Sequence, residues 1–173
     1  MPIRLCLFAI FCSLFSRAAA PSFEADSGTV EPFTLGATLF SDRAYTALAV
    51  PPVLTGARFI RVSIDTVQTL VCTQPGTLYA VTPADHPANS LADELRADGF
   101  EQLPERPLQL FGAAPEDRAL IFRKPFAAGE TLTARKWVIL FAHGDLRLSL
   151  LPSSSRPLGG RENWRENDGA TLP

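Results

Sequence analysis

The stretch Ser41–Thr66, SDRAYTALAVPPVLTGARFIRVSIDT, decides how the chain is read. It sets a charged and aromatic cluster, a double proline, a glycine turn and an alternating run close together. In ARFIRVSID, Phe59 and Ile60 are interleaved with Arg58, Arg61 and Ser63, the pattern of a half-covered strand between turn signals. Upstream, Tyr45 is read as the start of another strand, which Pro51-Pro52 keeps from continuing into a sheet centre. Gly56 then permits the reversal into ARFIRV. The cluster Asp42-Arg43-Ala44-Tyr45 has two readings. As a sandwich corner, an Asp-Arg pair satisfies exposed backbone groups. As a binding site, Arg43 presents a planar fork and Tyr45 a ring to a ligand. The corner is the first reading.

Working outward, short apolar runs alternate with turn signals. Thr34–Ser41, TLGATLFS, places Leu35, Ala37 and Leu39 at a period of two, which predicts a strand. TLVCT and GTLYAVT flank Gln74-Pro75-Gly76, a strong turn signal between two strands. PLQLFGA, ALIFRKPF and KWVILFAH supply three more runs, two of them linked by a turn over Pro125 to Glu130. One helix interrupts the series near 90–98. In SLADELRADGF, Ser90 is a good N-cap, Asp93 and Glu94 suit the first turn, and Gly99 stands where a left-handed C-cap residue belongs. Leu91 and Leu95 share a face. About eight short strands and one helix predict a mainly β fold, a jelly-roll-like β-sandwich.

The ends read differently. Residues 1–20, MPIRLCLFAIFCSLFSRAAA, have a basic start at Arg4, an apolar run from Leu5 to Phe15 and small residues up to Ala20, the pattern of a secretory signal peptide. The run falls short of the roughly 20 residues a membrane-spanning helix needs, and no later segment is long and apolar enough to span. Residues 21–33 read as a polar lead-in, 34–150 as the sandwich domain, and 151–173, rich in Pro, Ser, Gly and charge, as a disordered tail. Trp164 in that tail is a candidate recognition anchor on a flexible arm; the alternative is that it folds back without a partner.

The chain of 173 residues carries 16 basic and 18 acidic residues. The leader holds Arg4 and Arg17 and no acid, so the remainder is more acidic still. That balance excludes a nucleic-acid partner, which wants a basic face. Cys6 and Cys12 belong to the leader. Cys72 then stands alone, without an internal disulfide, and its apolar neighbours favour a buried small hydrophobe over a nucleophile. No Asn-x-Ser/Thr acceptor is present.

Chemistry is poorly provided for. His86 and His143 are the two histidines, far apart and in no ligand-like spacing. His86 follows Asp85 in a turn-rich loop, which admits a small hydrolase using that pair. No serine sits in a Gly-x-Ser-x-Gly turn, and no metal or cofactor is implied. Arg43, Tyr45, Arg58, Arg61, Arg123 and Lys124 lie on or beside strands, where they would contact sugars or acidic ligands, or pair with nearby acids at the surface.

The segments LGATLFSDRAYTALAVPPVLTGARFIRVSIDT, LYAVTPA, GFEQLP and IFRKPFAAGETLT resemble an accessory β-sandwich module of secreted bacterial polysaccharide-processing and surface proteins, over about Gly36 to Leu132. That module is a β-sandwich of poorly defined role and not a catalyst. Two stretches depart from its pattern: SLADELRAD replaces an aromatic Pro-x-Trp-Leu segment, and LTARKWVILFAH replaces a glycine-rich ending. The resemblance implies a secreted, extracellular, non-catalytic binding or accessory module, with carbohydrate as the first ligand class. Arg43, Tyr45, Arg61 and Trp164 are the candidate binding residues. An extracellular protein-interaction role is the second reading and the Asp85-His86 hydrolase the third.

Overall fold

The computed structural model describes residues 20–84, 90–104, 108–109 and 117–149. The leader up to residue 19, the Asp85-His86 pair, the Ser90 side chain that would cap the helix and the tail with Trp164 lie outside the described residues. The elements are β1 (Ser22–Ala25), β2 (Thr29–Pro32), β3 (Arg58–Arg61), β4 (Gln68–Gln74), β5 (Gly76–Pro83), α1 (Ser90–Ala97), β6 (Glu101–Gln102), β7 (Leu108–Gln109), β8 (Arg118–Phe126), β9 (Thr131–Ala134), β10 (Ile139–Ala142) and β11 (Asp145–Leu148). They form a four-stranded sheet, β11-β1-β4-β9, and a seven-stranded sheet, β2-β3-β10-β5-β8-β6, with β7 also paired to β8. The fold is a mainly β sandwich with one helix, as expected.

The turn at Gln74-Pro75-Gly76 does not make a hairpin. β4 pairs with β1 and β9, whereas β5 pairs with β10 and β8, so Pro75 carries the chain from one sheet to the other. The turn after Phe126 does the same between β8 and β9, pinned where the Glu130 carboxylate accepts the Ala127 N–H. Gln68, Leu70 and Cys72 of β4 are buried while Thr69, Val71 and Thr73 are half-buried, the period-two pattern of a strand covered mainly on one face.

Two expectations fail. The segment 21–33, read as a polar lead-in, supplies β1 and β2, and β1 lies between β11 and β4 with Phe23 and Ala25 in the core. Thr34–Ser41 is not a strand, and Tyr45 does not begin one. Isolated bridges at Thr38 with Thr46 and Phe40 with Val62 take their place, followed by a 3-10 turn over Pro52–Leu54.

The reason is a second core. Leu140 and Ala142 of β10 pack between the sheets with Phe23, Leu70 and Phe122. Ile139 and Phe141, on the opposite face, pack against a different cluster with Phe33, Leu39, Phe40 and Leu54. The segment from Phe33 to Ala57 is therefore an irregular cover laid over the outer face of the larger sheet. Phe33 meets Phe141 edge-on at 4.8 Å and Phe59 at 6.0 Å, while Phe59 and Phe141, cross-strand partners, stack at 5.7 Å. Burying such a side chain contributes about 1.5–3 kcal/mol, which outweighs the missing ladder in the cover. Its reversal uses Gly56 at φ 77, as read from the sequence.

α1 packs Leu91 and Leu95 inward. Gly99, at φ 84, ends it: the Gly99 N–H donates to Arg96 O at 3.0 Å and the Phe100 N–H to Leu95 O at 2.9 Å. This pair of hydrogen bonds with a buried Phe100 is the Schellman arrangement.

Candidate functional site

At the opening cluster the weld is Asp42. One carboxylate oxygen accepts the Ile64 N–H at 2.9 Å and the other the Ser63 hydroxyl at 2.9 Å. The Ile64 amide, with smaller help from Ser63 and Arg43, holds the carboxyl below its ordinary value against a partial desolvation. Arg43 is exposed and turns back on its neighbour, reaching the Asp42 carbonyl oxygen at 3.1 Å and its carboxylate at 3.4 Å. Tyr45 is half-buried, edge-on to Phe40 at 6.3 Å. Arg61, on β3, pairs with Glu31 of β2 at 2.8 Å, and its Nε has no hydrogen-bond partner among the described residues.

His143 is tied down at the end of β10. Its Nε2 lies 2.8 Å from Val53 O, and its ring stands edge-on to Tyr79 at 5.6 Å. It fastens the cover to the sheet. Cys72 is buried, with its thiol 3.1 Å from Gln74 O, and burial, followed by the Glu130 carboxylate, pushes the thiol up. Among the described residues no three His, Cys, Asp or Glu side chains gather as a metal set would, and no helix is long and apolar enough to cross a membrane.

A groove of about 560 Å³ opens on a different part of the surface. It is lined by Asp98, just past α1, Lys124 of β8, Thr131, Leu132 and Thr133 of β9, and Arg135 and Lys136 of the following turn. Val67, 57% exposed, lines it too. β9 is an edge strand of its sheet, opposite β11, and its period-two alternation buries Leu132 and Ala134 while exposing both threonines. Lys124 is held in place: its Nζ donates to Asp98 O at 2.9 Å and sits 4.7 Å over the Phe126 ring. Arg135, largely exposed, meets the half-buried Glu94 at 3.1 Å, and Lys136 meets Asp65 at 3.8 Å as a pair exposed on both sides. None of the described residues lining the groove is aromatic.

Arg43, Tyr45 and Arg61 do not line this groove. Of its residues, sequence reasoning had singled out Lys124 alone, as a surface cation. The signal that was available lies in the departures from the module's pattern, because SLADELRAD and LTARKWVILFAH both border the groove.

No family model matches the chain, and no curated protein matches it. Among solved structures it is similar to a GH138 enzyme targeting pectin rhamnogalacturonan II, with a TM-score of 0.52 and 20% sequence identity, over 78% of this chain and 18% of that one. It is also similar to a beta-glucuronidase from glycoside hydrolase family 2, with a TM-score of 0.46 and 12% identity, over 69% of this chain and 14% of that one. The chain thus spans a minor part of either enzyme, and the first likeness is one of fold: a β-sandwich of the same kind lies within that larger protein.

Proposed function

We propose that the chain is an exported, extracellular accessory module that binds carbohydrate and does not cleave it. The observation that carries this reading is the groove along β9, an open trough in which threonine hydroxyls and charged side chains stand beside Val67 and Leu132. Fold likeness to part of an enzyme that targets pectin supports the ligand class, and the leader pattern over 1–20 supports export. His143, engaged by Val53 O, favours the non-catalytic half. Affinity electrophoresis through gels containing single polysaccharides tests the reading. At least one polysaccharide should retard the protein without release of reducing ends; free migration through all of them would exclude the carbohydrate role.

A further inference from the structure

Three cations reach the groove from two places in the chain: Lys124 from β8, and Arg135 and Lys136 from the turn between β9 and β10. One carboxylate, that of Asp98, lines it with them. Lys124 is already ordered by a carbonyl and a ring face and not by a carboxylate, so its charge stays available to a ligand. The Lys136–Asp65 pair is exposed on both sides, so it is weak and exchangeable for a ligand carboxylate, while Arg135, itself largely exposed, meets a half-buried Glu94 through Nε.

The turn that supplies two of these cations is strained. Trp137 is the one non-glycine among the described residues with a positive φ, 67°. A bulky residue in that region is a genuine outlier, and such strain persists where the surroundings over-determine it, often at binding sites. Here the Trp137 N–H donates to Ile64 O at 2.9 Å and the ring packs against the second core, which fixes the direction in which Arg135 and Lys136 leave the backbone. On β9, Thr131 and Thr133 stand two apart on one face, about 7 Å from each other along the strand. They present two successive hydroxyls beside the cations.

We infer that this groove is the ligand site and that it takes a uronate-bearing glycan, with carboxylates on Lys124, Arg135 and Lys136 and sugar hydroxyls on Thr131 and Thr133. The inference rests on the carbohydrate reading above and deepens it. A neutral glycan is commonly gripped by flat ring faces, which the lining lacks; beside the aliphatic Val67 and Leu132, this lining offers three cations and two threonine hydroxyls.

The test is titration of the whole chain with an oligogalacturonate, with the same oligomer fully methyl-esterified, and with poly-glutamate. The acidic oligomer should bind at least tenfold more tightly than its ester, and added salt should weaken it. Arg135→Gln and Lys136→Gln, both exposed and away from the core, should each weaken it severalfold with unchanged melting. Equal affinity for the ester would overturn the inference and leave the carbohydrate reading standing. Unaltered binding by both variants would also overturn it, by placing the site elsewhere. Binding to poly-glutamate without binding to the oligogalacturonate would overturn it in favour of an acidic peptide. If neither these oligomers nor any polysaccharide binds, the inference and the carbohydrate reading fall together.

Discussion

The Asp42 carboxylate accepts the backbone N–H of Ile64 at 2.9 Å, which fastens the irregular cover to the chain leaving β3. Ile64 is buried, so its amide has little recourse to water if the acceptor is lost. Asp42→Ala should lower Tm by a few degrees. Arg43→Ala should move it by no more than about 1–2 °C, because its exposed pairing with Asp42 contributes little. Thermal melts of the two variants decide whether the weld is the acid or the base.

The same carboxylate gives a pH signature. Its folded value lies below the ordinary 3.8, so its ionic contribution is present above 3.8 and is lost as pH falls through the folded value. The Tm gap between wild type and Asp42→Asn should therefore close on acidification below about 3.8. A gap that persists undiminished in acid would contradict this assignment.

Cys72 should resist thiol reagents until the protein is denatured, because its burial disfavours the thiolate. Cys72→Ser should cost about 1 kcal/mol, near the low end for a buried hydroxyl, since Gln74 O is in place to accept its proton. Labelling kinetics with and without urea test the first statement and chemical denaturation the second.

Phe33→Ala measures how far the cover belongs to the fold. Phe33 bridges Phe59 and Phe141, and its truncation should cost about 3–5 kcal/mol, as for any fully packed core phenylalanine. A loss below about 1 kcal/mol in urea unfolding would mean that the cover is a loosely attached loop.

His143→Ala should cost about 1–2 kcal/mol through the lost contact with Val53 O, and glycan retention should be unchanged. Loss of retention with unchanged stability would assign the histidine to the binding site.

The helix was legible because its C-terminal stop and its apolar spacing agree: Leu91, Leu95 and Gly99 all do what their positions imply. The strands with clean alternation or flanking prolines were legible too. β1 escaped because it is four residues long and runs straight into Asp26-Ser27-Gly28, so its local composition is that of a loop. Thr34–Ser41 misled for the opposite reason. Its period-two apolar pattern is real, but Leu35 is 70% exposed while the neighbours Leu39 and Phe40 are both buried. The cover lies against a sheet face without joining its ladder, and alternation alone does not distinguish the two. A hint of the second core was present in VILFA, which is apolar without alternation, the mark of a strand covered on both faces. The groove was the least legible feature. Thr131, Thr133, Arg135 and Lys136 are exposed, and exposed polar residues follow no period until the fold brings them beside Lys124.

β1 pairs with β11 in parallel and with β4 in antiparallel fashion, so an inner strand of the smaller sheet is flanked by the last of the described strands. Synthesis delivers β1 long before β11, and parallel pairing between such distant segments is slow to form because the intervening loop must close beforehand. Until β11 is in place, one edge of β1 stays unpaired, with the backbone groups that recruit other chains. A nascent or truncated chain ending before Asp145 is therefore the aggregation-prone species, and β11 acts as the seal on assembly.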